Sequence, residues 1–236
     1  MTAVKFKKYI ANPILVLLIT LTSIIGIIGS GGSVSTNASP VYRVENTDAV
    51  CLMVNVYWGD QYLPKMLDIF AKNDIKTTFF VGGCWAEKNE EMLKSIYAQG
   101  HEIANHGYFH KDHKKIDEAR NREEITSTHN LIKSILGIEM NLFSPPSASF
   151  SDKTLQIAGE LGYTTVMYSK DTIDWRDKDE QIVYSRATKN VTGGDLILMH
   201  PTAATVAVLQ QIIDKIISQG LRLTTVSGVI SSTGEA

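Results

Sequence analysis

The chain has 236 residues, of which 44% are hydrophobic and 20% charged, with a formal net charge of −2. That length gives one substantial domain or at most two small ones. The near-neutral balance, with no dense basic patch interleaved with aromatics, argues against nucleic acid as the main partner.

Lys5, Lys7 and Lys8 precede an apolar run over residues 10–28. The run is about 19 residues long, close to what a helix needs to span a bilayer. It is longer than the roughly 7–15-residue apolar core of a cleaved signal. Residues 1–29 therefore read as a basic start followed by an uncleaved transmembrane anchor. The lysines put the N-terminus inside and the bulk of the chain outside. That predicts a single-pass cell-membrane protein with an extracytoplasmic domain, or a secreted one if cleavage occurs near Ala38. A buried core helix fits poorly, because the run has no polar face. Residues 30–47, rich in Gly, Ser and Thr, read as a flexible linker, and 48–236 as one domain.

Within that domain, 50–56 is a nearly continuous apolar run, the mark of a strand buried on both faces. Helical spacing follows over 62–72 through Leu63, Met66, Leu67 and Phe70. A strand at 77–81 leads to a helix over 87–98 that Gly100 stops. Residues 101–105 read as a third strand and 116–136 as a long amphipathic helix ending at Gly137. A short strand at 142–143 precedes Pro145-Pro146, and Ser151 caps a helix to Leu161. Strand 164–168, helix 180–189, strand 195–199, helix 203–218 and strand 222–226 complete the chain. Cys51 and Cys84 fall at opposite ends of neighbouring parallel strands, too far apart for a disulfide.

Strands alternating with helices in this way predict an α/β fold with a parallel sheet. The polar candidates at 55–60, 106–110, 145–147, 171–175 and 200 each follow the C-terminal end of a different strand. A (β/α)-barrel of about seven parallel strands gathers such ends around one site, which an open sheet does less well. His106 and His110 are four apart, a spacing that on a helical turn lets two imidazoles face one ion. His113 and His129 read as surface residues, His101 as packing at a strand start, and the charges at 120–124 as a solvated helix face.

Four segments in order carry a family resemblance: Asn105-His106-Gly107-Tyr108-Phe109-His110, Phe143-Ser144-Pro145-Pro146, Asp171-Thr172-Ile173-Asp174-Trp175 and Leu198-Met199-His200-Pro201. They resemble the NodB-type polysaccharide deacetylases over roughly 48–230. The resemblance implies a TIM-like distorted barrel and a hydrolase that removes N-acetyl groups from a peptidoglycan-like or chitin-like polymer. It also implies a divalent metal, by expectation zinc, that polarises the amide carbonyl and lowers the pKa of a bound water. By the same resemblance His106 and His110 are metal ligands, His200 is the general acid and Asp174 the carboxylate that orients it. Leu198 and Trp175 are walls of the substrate groove, with Pro146 beside them.

One segment departs from the pattern. Where the family has Thr-Phe-Asp-Asp-Gly, this chain has Asn55-Val56-Tyr57-Trp58-Gly59. Tyr57 stands at the general base and Trp58 at the metal aspartate, while Ser144 stands where an arginine holds the base. The losses are coherent, since an arginine that pairs with a carboxylate has no partner once that carboxylate is gone. Two readings stay open. Asp60 completes the metal site, or water completes a two-histidine site, and slow hydrolysis survives without general-base help, which typically costs about 10²–10⁴ in rate. Alternatively the domain is a catalytically impaired binder of glycan or of a partner protein, with Tyr57, Trp58, Trp85 and Trp175 as stacking faces.

Overall fold

A computed structural model describes residues 39–232. The apolar run at 10–28 lies outside the described residues; among those described, no helix is long and apolar enough to cross a membrane.

The sheet is built on β1 (Ala49–Val56), whose eight residues are all buried. Around it stand β2 (Thr78–Val81), β3 (Glu102–Asn105), β4 (Leu142–Phe143), β5 (Thr164–Thr165), β6 (Lys170–Asp171), β7 (Leu196–Met199) and β8 (Arg222–Leu223). The order is β5-β4-β3-β2-β1-β7-β6, with β8 beside the start of β1. Every ladder pairing is parallel. Parallel neighbours need long crossovers, and helices supply them: α1 (Leu63–Lys72), α2 (Gly83–Lys88), α3 (Glu90–Ala98), α4 (Glu118–Leu136), α5 (Asp152–Glu160), α6 (Glu180–Thr188), α7 (Ala203–Ser218) and α8 (Val226–Ser231). Among the described residues no ladder joins β5 to β6, so the barrel expected from sequence is curled but not closed.

Side-chain alternation along the strands divides the core in two. Leu52, Val54, Phe79, Ile103, Ile197 and Met199 face outward onto helix residues such as Met66, Phe70, Ile125 and Leu209. Cys51, Met53, Phe80, Ala104, Leu196 and Leu198 face inward and fill the barrel. The inward stack carries the candidate site on its top layer.

Several expectations are corrected. The stretch read as the end of a linker is fixed to the domain over 41–44. Val41 N–H donates to Thr165 O (2.9 Å), and Met167 N–H donates to Val41 O (2.8 Å). Val44 N–H reaches Gly194 O (3.0 Å), so this segment runs from the β5 edge to the start of β7 across the open seam. The approach is close enough that a Cβ on Gly194 would lie 1.6 Å from Val44 O. The single helix expected over 87–98 is two, α2 and α3, meeting at Asn89. The final strand is shorter than expected and gives way to α8, capped by the Thr225 hydroxyl. β6 was not anticipated, because Lys170 and Asp171 are both charged and give no apolar signal of a strand.

Cys51 is buried and Cys84 half-buried, and both are free thiols. His101 packs against Phe70 and Phe79 at the mouth of β3, as expected. His113 does not lie on the surface: it is fully buried, with Nδ1 2.7 Å from Asn121 Oδ1. His129 is half-buried between Tyr163 Oη (2.6 Å) and Glu139 Oε2 (2.8 Å). Glu124, read as part of a solvated face, is buried for the reason given below.

Candidate functional site

At the C-terminal ends of the strands lies a cavity of about 600 Å³, within the range of small-molecule sites. It collects side chains from every strand end that the sequence singled out. Asn55, Tyr57 and Trp58 come from the end of β1, and His106 and His110 from beyond β3. Ser144 and Pro145 follow β4, Asp171 ends β6, and Leu198 and His200 come from the end of β7. Tyr168, Trp175, Ser147 and Ala148 complete the wall.

The two histidines do not sit on a helical turn. Residues 106–110 form an irregular loop in which His110 takes φ +54°, and the two rings meet edge to face at 5.2 Å. This loop hangs from its surroundings by specific bonds. Asn105 Oδ1 accepts the Gly107 N–H (2.9 Å). Glu124 Oε2 accepts the N–H groups of both Tyr108 (2.9 Å) and Phe109 (2.7 Å). The other Glu124 oxygen pairs with Arg120 at 2.9 Å, and the Glu124 side chain is wholly buried. A carboxylate with four lone-pair directions is the side chain that can take two adjacent amides and a guanidinium together.

His106 is buried and donates from Nδ1 to Ser144 O at 2.7 Å, which leaves Nε2 as a free lone pair. Burial, with His110 nearby, holds its imidazolium pKa well below the ordinary value, so the ring is neutral. Burial lowers His110 likewise. Neutral imidazoles oriented by a backbone carbonyl suit a metal ion. The rest of the donor set does not. Tyr57 lies 5.0 Å from His110, ring to ring, and rests on the Gly82 backbone. The Trp58 indole stacks parallel on His200 at 5.7 Å. Asp60 is not brought to the histidines: it is outside the cavity, and its Oδ1 accepts from Trp85 Nε1. Among the described residues no group of three His, Cys, Asp or Glu could hold a metal ion. The residues present therefore do not fit the three-ligand site that the resemblance implied.

Opposite the histidine pair, His200 and Asp174 form a complete dyad. His200 Nδ1 is 2.8 Å from Asp174 Oδ1, and the His200 N–H donates to Asp174 Oδ2 at 2.7 Å. The Thr205 hydroxyl on α7 donates to the same Oδ2. Asp174 is placed by a strained turn: Ile173 takes φ +52°, which a β-branched residue adopts at a cost on the order of 1–3 kcal/mol. Asp171 supports that turn by accepting the Ile173 N–H (2.8 Å).

Of the predicted groove residues, Tyr57, Trp58, Trp175 and Leu198 line the cavity, and Trp58 and Trp175 are about half exposed. Trp85 does not; it is buried in the helix-side core, with its indole N–H turned to Asp60. Pro146 is buried and does not line the cavity, whereas Pro145 does. Sequence reasoning passed over Asn55 as a separate candidate. The signal was there: Asn55 is the one polar residue in an otherwise apolar, fully buried strand.

Comparison with known proteins bears on this arrangement. A family model described as polysaccharide deacetylase matches residues 43–166. The uncharacterized protein YlxY of Bacillus subtilis is 37% identical over 84% of this chain and 63% of its own length. A peptidoglycan-N-acetylglucosamine deacetylase of Bacillus cereus is 29% identical over 74% of this chain and 66% of its own. The chain thus spans just under two thirds of these relatives. Among solved structures, a family 4 carbohydrate esterase pseudoenzyme from Bacillus anthracis matches with a TM-score of 0.80 and 33% identity. That match covers 82% of this chain and 69% of the other.

Proposed function

Because this chain belongs to the polysaccharide deacetylase family, we propose that it holds an N-acetylated envelope glycan, peptidoglycan-like or chitin-like, in the cavity without hydrolysing it efficiently. The observation that carries this reading is the exchange of carboxylates for aromatic faces. Tyr57 packs on His110 and Trp58 stacks on His200, where a base and a metal-binding acid are needed. Aromatic faces stack on sugar rings, and Trp175 offers another at the rim. The protein acts on the outer side of the cell membrane, tethered by the apolar run at 10–28 or released if that run is cleaved. A structural relative, the Bacillus anthracis pseudoenzyme, supports the reading, as does the description of one of its mutants as having restored enzymatic activity.

A second reading, zinc-dependent removal of N-acetyl groups, is favoured by the intact His200–Asp174 dyad and the oriented His106. Two measurements on the purified chain separate them. Calorimetric titration with N-acetylglucosamine oligomers is expected to show binding that survives chelation and His200→Ala. Acetate release is expected to stay at background with added zinc, and to appear in the triple variant Tyr57→Asp, Trp58→Asp, Ser144→Arg. Zinc-dependent acetate release by the unaltered chain, abolished by His200→Ala, would establish the second reading instead.

A further inference from the structure

The stretch around β6 is crowded with charge, and one member of it lacks a partner of opposite sign. Lys170 Nζ donates to Lys189 O (2.9 Å) and lies 3.8 Å from Asp195 Oδ2. Arg176 grips both oxygens of Asp177 at 2.9 and 3.0 Å, and Arg186 holds the same carboxylate at 2.7 Å. Arg176 is near enough to feel the charge of Asp171, yet none of the three cations forms an ion pair with it. Asp171 Oδ1 accepts only the neutral Ile173 N–H (2.8 Å), which leaves the carboxylate its full charge. Burial and then that charge push the neighbouring Tyr168 phenol up.

Asp171 is half-buried and lines both the cavity and the groove beside it along α6, so a ligand can reach it. Among the described residues it is the only carboxylate lining the cavity, and no Lys or Arg lines it. The histidines do not reverse that sign. Burial keeps His106 and His110 uncharged, and His200 is matched by the buried Asp174 carboxylate. The rings of Tyr168 and Trp175, from the same stretch of chain, complete this part of the wall. Arg176 lies over Trp175 at 5.9 Å, but its own charge is offset by Asp177. A carboxylate without a counter-charge, set among aromatic faces, favours a cation over a neutral group. An acetamido group gains little from that charge, whereas an ammonium gains a charge-assisted hydrogen bond.

We infer that Asp171 makes this part of the cavity a subsite for a protonated sugar amine, so that the chain binds a partly N-deacetylated glycan more tightly than a fully acetylated one. The inference rests on the glycan reading above and names the form of the glycan. Such a polymer is what N-deacetylation releases, which places this chain after a deacetylase in the reaction sequence.

The test compares the N-acetylglucosamine trimer with the glucosamine trimer by calorimetric titration, in a buffer acid enough to protonate the sugar amines. The unaltered chain is expected to prefer the glucosamine trimer by about tenfold. In Asp171→Asn, whose amide oxygen can still accept the Ile173 N–H, the preference falls to near one. Asp171→Ser gives the same result and covers the case in which asparagine does not fold. Asp68→Asn removes an equal charge from the exposed side of α1, away from the cavity, and keeps the preference. Equal affinity of the unaltered chain for the two trimers overturns the amine subsite and leaves glycan binding intact. A preference that persists in both Asp171 variants, or that Asp68→Asn also abolishes, overturns the role of Asp171. Failure to bind either trimer overturns the glycan reading and this inference with it.

Discussion

Asp174 is where fold and site are most tightly joined, and its replacement separates the two contributions. Three donors converge on its carboxylate: His200 Nδ1–H, His200 N–H and the Thr205 hydroxyl, around a side chain that is fully buried. In Asp174→Ala all three lose their acceptor. Stranding three buried donors that shared one carboxylate costs about 3–5 kcal/mol, at roughly 1–2 kcal/mol each. For a domain of this size, at about 2–4 °C per kcal/mol, the melting temperature falls by roughly 6–20 °C. Asp174→Asn should be milder and more informative. Its amide oxygen can keep the His200 N–H and the Thr205 hydroxyl, which share one carboxylate oxygen in the native protein. Its NH₂ then faces His200 Nδ1, and the imidazole answers by moving its proton to Nε2. The loss is one charged hydrogen bond, about 1–3 kcal/mol. The nitrogen facing the cavity changes from acceptor to donor. Urea denaturation measures the energy and ¹⁵N chemical shifts of His200 report the tautomer. Equal destabilisation by Asn and Ala, or an unchanged tautomer in the Asn variant, would refute the account of the dyad.

Two other residues yield predictions of the same kind. Glu124→Ala should lose about 3–5 kcal/mol by stranding the Tyr108 and Phe109 amides and Arg120, and Glu124→Gln about 1–2 kcal/mol; amide hydrogen exchange at 108 and 109 should accelerate in both, and unchanged protection would sink the idea that Glu124 holds the histidine loop. His101 is pushed down to about 4 by burial and, secondarily, by the Lys76 ammonium. The unfolded chain therefore binds this proton more readily, and stability falls as pH drops from about 6.5 toward 4. The full effect is on the order of 3 kcal/mol at about 1.4 kcal/mol per pH unit. Urea midpoints measured across that window should fall less steeply in His101→Gln, and identical slopes would reject the assignment.

How much of this was legible in the sequence depends on how many residues each feature uses. The long strands and helices announced themselves through repeated apolar spacing, and the place of His106, His110 and His200 after strand ends followed from element order alone. The features that escaped notice are carried by few residues or by distant partners. β6 is Lys170 and Asp171, with no apolar residue to mark a strand. Glu124 lies in a run of charges, and only the tertiary fold turns it inward under the 106–110 loop. Asp60 looked available as a ligand because sequence spacing does not show that the Trp85 indole claims it. The segment at 41–44 is Pro- and Ser-flanked like a linker, yet the open seam of the barrel offers it unpaired backbone groups at Thr165, Met167 and Gly194.

The pattern of what is kept and what is missing at this site has a physical explanation that does not require turnover. The His200–Asp174 dyad is wired into the fold through the His200 backbone and through Thr205 on α7, so losing Asp174 would be costly whether or not the protein hydrolyses anything. His106 donates to the backbone of Ser144, and its loop is fixed by Asn105 and Glu124, so the histidine side is also structural. The positions of Tyr57 and Trp58 are different. They lie beyond the last ladder pair of β1, facing an open cavity, where an acid would need a metal ion or an arginine to offset its desolvation. Once those partners are gone, an aromatic ring there gains packing against His110 and His200 and gives up no hydrogen bond of the fold. An intact dyad in this chain is therefore evidence about stability before it is evidence about catalysis. The discriminating groups are those that the fold does not need, Tyr57 and Trp58.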